Sequence, residues 1–150
     1  MAAAQFAVEY LKLDKLYLIP VGIPPHKELA EGTPAPEHRL AMAELAGQAL
    51  GEHVEVLDLE LRRQGKSYTL DTVRAIHKRH PKAQLYLLMG TDMFLTFQNW
   101  RHPKEIAKIC TLCAFGRSEK DTEALFAPQR DYLRREYGAD VITMALPHLV

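Results

Sequence analysis

The sequence predicts an α/β fold, an open parallel sheet covered by helices on both faces. Three observations carry that prediction. Helical and extended segments alternate along the 150 residues. Most of the extended segments are continuously apolar, as in strands buried on both faces, and do not alternate apolar with polar. Proline, glycine and polar residues concentrate just after several of the strands, the edge at which open α/β sheets bind ligands.

Each element has its own justification. Residues 2–13 place Phe6, Tyr10 and Leu13 at helical spacing, with Ala3 and Ala7 between, and 16–19 is a short apolar run stopped by Pro20. Residues 39–50 repeat the helical pattern through Leu40, Ala43, Leu45, Ala46 and Leu50, and 54–59 alternates like a strand. Residues 69–80 are helical, with Leu70, Val73, Ile76 and His77 on one face and Pro81 as the stop. The run 85–89 is the next buried strand. Short helices at 92–97 and, after Pro103, at 104–109 precede a strand at 111–115. A long helix at 123–137 ends at Gly138, and 141–145 is the last strand. The chain starts on a helix, and neither a G-x-x-x-x-G-K nor a G-x-G-x-x-G motif occurs in it.

Composition bounds the function. With 47% hydrophobic and 25% charged residues, the chain reads as one globular domain whose folding buries roughly 68–70% of its unfolded surface, which excludes disorder and collagen-like repeats. Nineteen basic residues balance nineteen acidic ones, so no global field draws the chain to nucleic acid. The short basic clusters, Arg62-Arg63 with Lys66, His77 to His80, and Arg134-Arg135, read as solvated surface. No apolar run approaches the roughly 18 residues of a membrane span, and the N-terminus lacks a signal-peptide pattern. The expectation is a cytoplasmic protein with neither nucleic acid nor membrane as partner. Cys110 and Cys113 form a C-x-x-C, but in a short apolar run with no further cysteine pair or paired histidine to complete a zinc site; they read as buried hydrophobes, and the competing redox reading requires an exposed thiol of low pKa.

Three segments after strands stand out. Pro20 to Lys27 opens a connection reaching Pro36 that holds five of the nine prolines, and His26 with Lys27 offers two donors to an anion. Gln64 to Thr69 opens a helix, with Ser67 or Thr69 as its cap and free N–H groups behind it that suit a carboxylate or phosphate. Met89-Gly90-Thr91-Asp92 lets backbone approach a ligand at Gly90 and presents the Asp92 carboxylate to ribose hydroxyls. Eight residues further on is the single tryptophan, Trp100, whose indole suits stacking on an aromatic ring, although core filling is its commoner use.

Taken together, Ile19-Pro-x-x-x-Pro-Pro-His-Lys27, Ser67-Tyr-Thr-x-Asp-Thr72 and Gly90-x-Asp92 followed by Trp100 resemble the bacterial nicotinate-nucleotide adenylyltransferase family. The resemblance implies a Rossmann-like sheet of nucleotidylyltransferase type. It also implies transfer of the adenylyl group of ATP to nicotinate mononucleotide, giving deamido-NAD and pyrophosphate in NAD biosynthesis, with Mg²⁺ entering alongside ATP. By that resemblance Thr69 lies where backbone amides hold the nicotinate carboxylate, Trp100 stacks on the pyridine ring, and the Arg101 amide reaches the same carboxylate. His26 and Lys27 lie near phosphate, Gly90 and Asp92 face the nucleotide sugar, and Arg117 is a further basic residue near phosphate.

The family pattern also includes an initial strand with Gly-Gly-x-Phe-x-Pro-x-His-x-Gly-His and, after the last strand, an Ile-Ser-Ser-Thr-x-Ile-Arg segment. Neither occurs in these 150 residues. The expectation is therefore a single nucleotidylyltransferase-like domain over 1–150, shortened at both ends and lacking its first strand, with no catalytic residue and no metal ligand identified. Adenylyl transfer relies on positioned donors, and losing one costs about 10²–10³ in rate, so weak or no activity is expected of this form. Its exposed strand edges favour homo-oligomers. The alternative reading is a non-catalytic module that binds the pyridine nucleotide alone.

Overall fold

A computed structural model describes residues 8–9, 11–20, 35–63, 67–116 and 118–144. Parallel strands flanked by helices make up the described chain, as the alternation of elements predicts. The chain divides into two units, Met1–Tyr68 and Thr69–Val150.

In the first unit β1 (Leu16–Leu18) pairs in parallel with β2 (Val54–Val56), Leu16 opposite Val54 and Leu18 opposite Val56. Helix α1 (Pro36–Leu50) connects them in sequence and packs on β2. Gly47 makes that packing close: a Cβ there would sit 3.1 Å from Val56 Cγ2, so a side chain would require Val56 to give by a few tenths of an ångström. Leu45, part of the expected helical pattern, proves to be exposed. α1 starts three residues before the expected position 39, because proline fits the first helical turn, where no N–H is needed. The expected helix 2–13 falls mostly outside the described residues. Its end is visible: Val8 and Glu9 are helical, but the chain turns at Lys12, which is left-handed at φ 53°, and the Leu13 N–H donates to Val8 O at 3.0 Å.

The expected strand at 54–59 is shorter. Its last ladder bond runs from the Leu57 N–H to Leu18 O, after which β1 offers no further partner. The chain turns instead into the four-residue helix α2 (Leu59–Arg62), with Asp58 bound to Arg62 at 2.8 Å one turn on. Period-two apolar spacing at Leu57 and Leu59 imitates a strand that has nothing left to pair with.

The second unit holds the better-defined core. β3 (Leu85–Gly90), β4 (Cys110–Phe115) and β5 (Val141–Met144) form a parallel ladder with β4 in the middle, and β4 is buried at every position. Helix α3 (Thr69–Arg79) leads into β3, α5 (Pro103–Ile109) into β4 and α6 (Glu123–Tyr137) into β5. α3 packs on α5, and α5 on α6. Short α4 (Thr91–Leu95) and a 3₁₀ turn (Phe97–Asn99) follow β3, dividing the single helix expected at 92–97. Phe94, Phe97, Phe126, Leu112 and Leu133 are fully buried, and Phe94 meets Phe126 edge to face at 5.8 Å. Each such side chain contributes roughly 1.5–3 kcal/mol of burial.

On α3 the buried residues are Leu70, Thr72, Val73 and Ile76; His77, expected on the same face, is exposed. The helix ends there in exposed His77, Lys78 and Arg79; the negative end of the helix dipole favours the lysine and arginine cations, and hydration holds them outside. No helix among the described residues is long and apolar enough to cross a membrane.

Candidate functional site

The second unit brings several of the expected site residues to one edge. In register, Gly90 of β3 lies opposite Phe115 of β4, and Phe115 opposite Met144 of β5. Those residues end their strands, so they define the carboxyl edge of the ladder. A helix that returns the chain to the start of a parallel strand runs against that strand, so its own N-terminus lies at the carboxyl edge. Thr69 begins α3, and Trp100 and Arg101 immediately precede α5. Thr69, Gly90, Asp92, Trp100 and Arg101 therefore share one edge of the second unit. His26, Lys27 and Arg117 lie outside the described residues, as do Gln64 to Lys66.

The local surroundings of each residue follow from packing. Asp92 is exposed in the first turn of α4, where the helix dipole favours a carboxylate. α4 is held in place from behind: Phe94 is anchored on Phe126, and Gln129 Nε2 of α6 donates both to Phe94 O at 2.9 Å and to Gln98 Oε1 at 2.6 Å. Trp100 is half-buried, its ring 4.9 Å from that of Phe97 at an interplanar angle of 51°. It thus joins the core as the commoner reading expects and keeps part of its indole in solvent. Arg101 is exposed. Thr69 is the first helical residue and not a residue preceding the helix; Ser67 is buried, and its hydroxyl accepts from Arg63 Nη1 at 2.7 Å.

Two features at this edge escape the sequence reading. Thr91 Oγ1, between Gly90 and Asp92, is buried with no hydrogen-bond partner among the described residues. His102 sits in the left-handed region at φ 53°, ψ 54°, directly after Trp100 and Arg101. A residue before proline avoids the right-handed helical region, so the His-Pro pair is a weak signal for a special backbone, though not for this one. The left-handed conformation costs a non-glycine residue about 1–2 kcal/mol and swings the chain from the Trp100 segment into α5.

The thiols are core groups. Cys110 and Cys113 are buried, and burial pushes both pKa values up to about 12, with the Cys110 thiol adding to the shift at Cys113. They stay protonated near neutrality, the opposite of a redox-active pair. No group of His, Cys, Asp and Glu among the described residues is arranged to hold a metal ion.

Comparison with known proteins identifies relatives. The profile of the Cytidylyltransferase-like family matches residues 1–145. The chain is 36% identical over 138 residues to the probable nicotinate-nucleotide adenylyltransferase of Halalkalibacterium halodurans, covering 92% of this chain and 65% of that protein. It is 32% identical over 149 residues to the protein of the same name from Carboxydothermus hydrogenoformans, covering 99% and 72%. In fold it is similar to the Plasmodium falciparum nicotinic acid mononucleotide adenylyltransferase complexed with NaAD, with a TM-score of 0.68 at 11% identity over 97% of this chain and 66% of that one. The chain spans 65% of the length of the Halalkalibacterium halodurans protein, and 58% and 56% of two further curated relatives of the same name. Identity at this level over nearly all of the chain, on a parallel α/β fold that the Plasmodium enzyme shares, makes it a member of the nicotinate-nucleotide adenylyltransferase family.

Proposed function

We propose that the chain serves adenylyl transfer from ATP to nicotinate mononucleotide, in the cytoplasm, as a step of NAD biosynthesis. In that reaction a phosphate oxygen of the mononucleotide bonds to the α-phosphorus of ATP. The bond from that phosphorus to the bridging oxygen breaks, and pyrophosphate leaves with the pair of electrons. ATP arrives as its Mg²⁺ complex, and the protein's part is to position the reactants and to stabilise charge.

Family membership and one structural observation support this reading. The start of α3, the Gly90-Thr91-Asp92 turn and the half-exposed Trp100 lie along the carboxyl edge of the second unit's ladder. A nicotinate group needs an aromatic platform and amide donors for its carboxylate, and a ribose needs an acceptor. In the proposal Trp100 provides the platform, the backbone at Thr69 and Arg101 the donors, and Asp92 the acceptor beside Gly90; His26, Lys27 and Arg117 serve the phosphates.

Calorimetric titration tests the assignment. The protein is expected to bind nicotinate mononucleotide, and Trp100→Ala to weaken that binding about fivefold or more, since stacking contributes on the order of 1 kcal/mol or more. An unchanged affinity in Trp100→Ala would remove the indole from the site. Product formation from nicotinate mononucleotide and Mg·ATP, followed by chromatography, tests the reaction itself; binding of the mononucleotide without ATP would favour a binding module.

A further inference from the structure

Helix α6 carries a polar residue on its inner side that the proposed site leaves without a role. Phe126 and Leu133 are fully buried there, and Gln129 falls between them at three- and four-residue spacing, where the helical period calls for an apolar side chain. The glutamine is half-buried, and its Nε2, which carries two N–H groups, donates to two acceptors, Phe94 O at 2.9 Å and Gln98 Oε1 at 2.6 Å. Both acceptors belong to the connection that runs from Asp92 to Trp100.

That connection has a joint in it. α4 ends at Leu95 and the 3₁₀ turn begins at Phe97, so Thr96, at φ −110° and ψ 10°, separates two short pieces. The Thr96 hydroxyl donates to Asp92 O at 2.9 Å in the first piece, and the Trp100 N–H donates to Phe97 O at 3.0 Å in the second. Helical pieces of five and three residues do not hold their shape alone in water. Ring packing seats each one, Phe94 on Phe126 and Phe97 on Trp100, but neither of these contacts joins one piece to the other. Gln129 bonds to both sides of the joint at once, from a 15-residue helix closed at both ends.

We propose that Gln129 is a positioning residue of the nicotinate mononucleotide site, its side-chain amide bridging Phe94 O and Gln98 Oε1 so that the Asp92 carboxylate and the Trp100 indole keep the spacing of the ligand's ribose and pyridine ring. The proposal rests on the placement of ribose at Asp92 and pyridine at Trp100 given above. Gln129 itself touches no reactant. It fixes the joint before the ligand arrives, so that binding does not have to order it.

Calorimetric titration of the full chain with nicotinate mononucleotide, together with fluorescence of the single tryptophan, tests the proposal. Gln129→Met keeps the length of the side chain and removes both donors. It should weaken mononucleotide binding at least about threefold and open the indole to quenching by acrylamide, with the circular dichroism spectrum unchanged. Gln98→Glu retains an acceptor for Gln129 and, in high salt that screens its added charge, should bind as the wild type does. Gln98→Met removes the acceptor and should weaken binding, a contrast that lost packing alone would not produce. Because Gln129 acts through Trp100, Gln129→Met should add little once Trp100 is alanine. A folded Gln129→Met chain that binds as the wild type does overturns the proposal. So does equal weakening by the two Gln98 variants, or an effect of Gln129→Met undiminished in Trp100→Ala. If Gln129→Met does not fold, the two Gln98 variants decide. A wild-type chain that does not bind the mononucleotide, or a Trp100→Ala variant that binds it equally well, overturns the site reading itself and the proposal with it.

Discussion

Helices α1 and α6 are both 15 residues long, yet they bury very different amounts of apolar surface. α6 collects Phe126 and Leu133 on one side, both fully buried, and sends its charged residues outward. Its ends are closed: Thr122 Oγ1 accepts from the Leu125 N–H at 3.2 Å, and Gly138 turns left-handed at φ 63° with its N–H on Arg134 O. α1 exposes Met42 and Leu45 along with Glu37, His38, Glu44 and Gln48, has no side-chain cap bond at its start, and packs one side on β2. A helix with one apolar arc finds its place by burying it. α1, which has no single apolar arc, is placed by its close packing at Gly47.

Core truncation gives the largest expected contrast between the two helices. Phe126→Ala should cost about 3–5 kcal/mol by opening a cavity under Phe94, whereas Leu45→Ala should stay within about 0.5 kcal/mol of wild type. Urea unfolding of both variants, at low protein concentration so that association does not contribute, measures the difference. Equal losses would show that the outer face of α1 is packed after all.

Alkaline pH acts on the second unit through its thiols. Cys110 and Cys113 bind their protons more tightly when folded than when unfolded, so the stability they contribute is fully present below about pH 9 and is lost as pH rises towards about 12. The slope should approach about 1.4 kcal/mol per pH unit for each thiol in that window. Replacing both with alanine should flatten that part of the curve, and an unchanged slope would assign it to other groups.

The smallest expected effect lies at the site edge. Thr91→Val removes a buried hydroxyl that has no partner among the described residues, so stability should stay level or rise by up to about 1 kcal/mol. A loss of about 2 kcal/mol or more in thermal unfolding would mean that the hydroxyl is satisfied in solution.

Much of the second unit was legible in the sequence. The helix over Glu123–Tyr137 and its stop at Gly138 stand where the periodicity and the glycine predict them. The apolar runs around residues 85–89 and 111–115 are strands of a parallel ladder, and both cysteines are core residues. Errors gathered where a local pattern depended on a distant partner. The alternation at 54–59 could not reveal that β1 ends at Leu18, and the face of α3 could not reveal that its last turn leaves the core at His77. For the candidate site, the residue types after each strand pointed to Gly90, Asp92 and Trp100, while nothing local marked Thr91 as unpartnered or His102 as left-handed.

Side-chain chemistry, period and punctuation are local properties, and they suffice to state the class of fold, the order of most elements and the residue types suited to a pyridine nucleotide. Burial is not local. Whether Leu45 meets water or Thr91 meets a partner depends on segments far away in the chain, because the free energy of a side chain is set by the neighbours that the assembled fold brings to it.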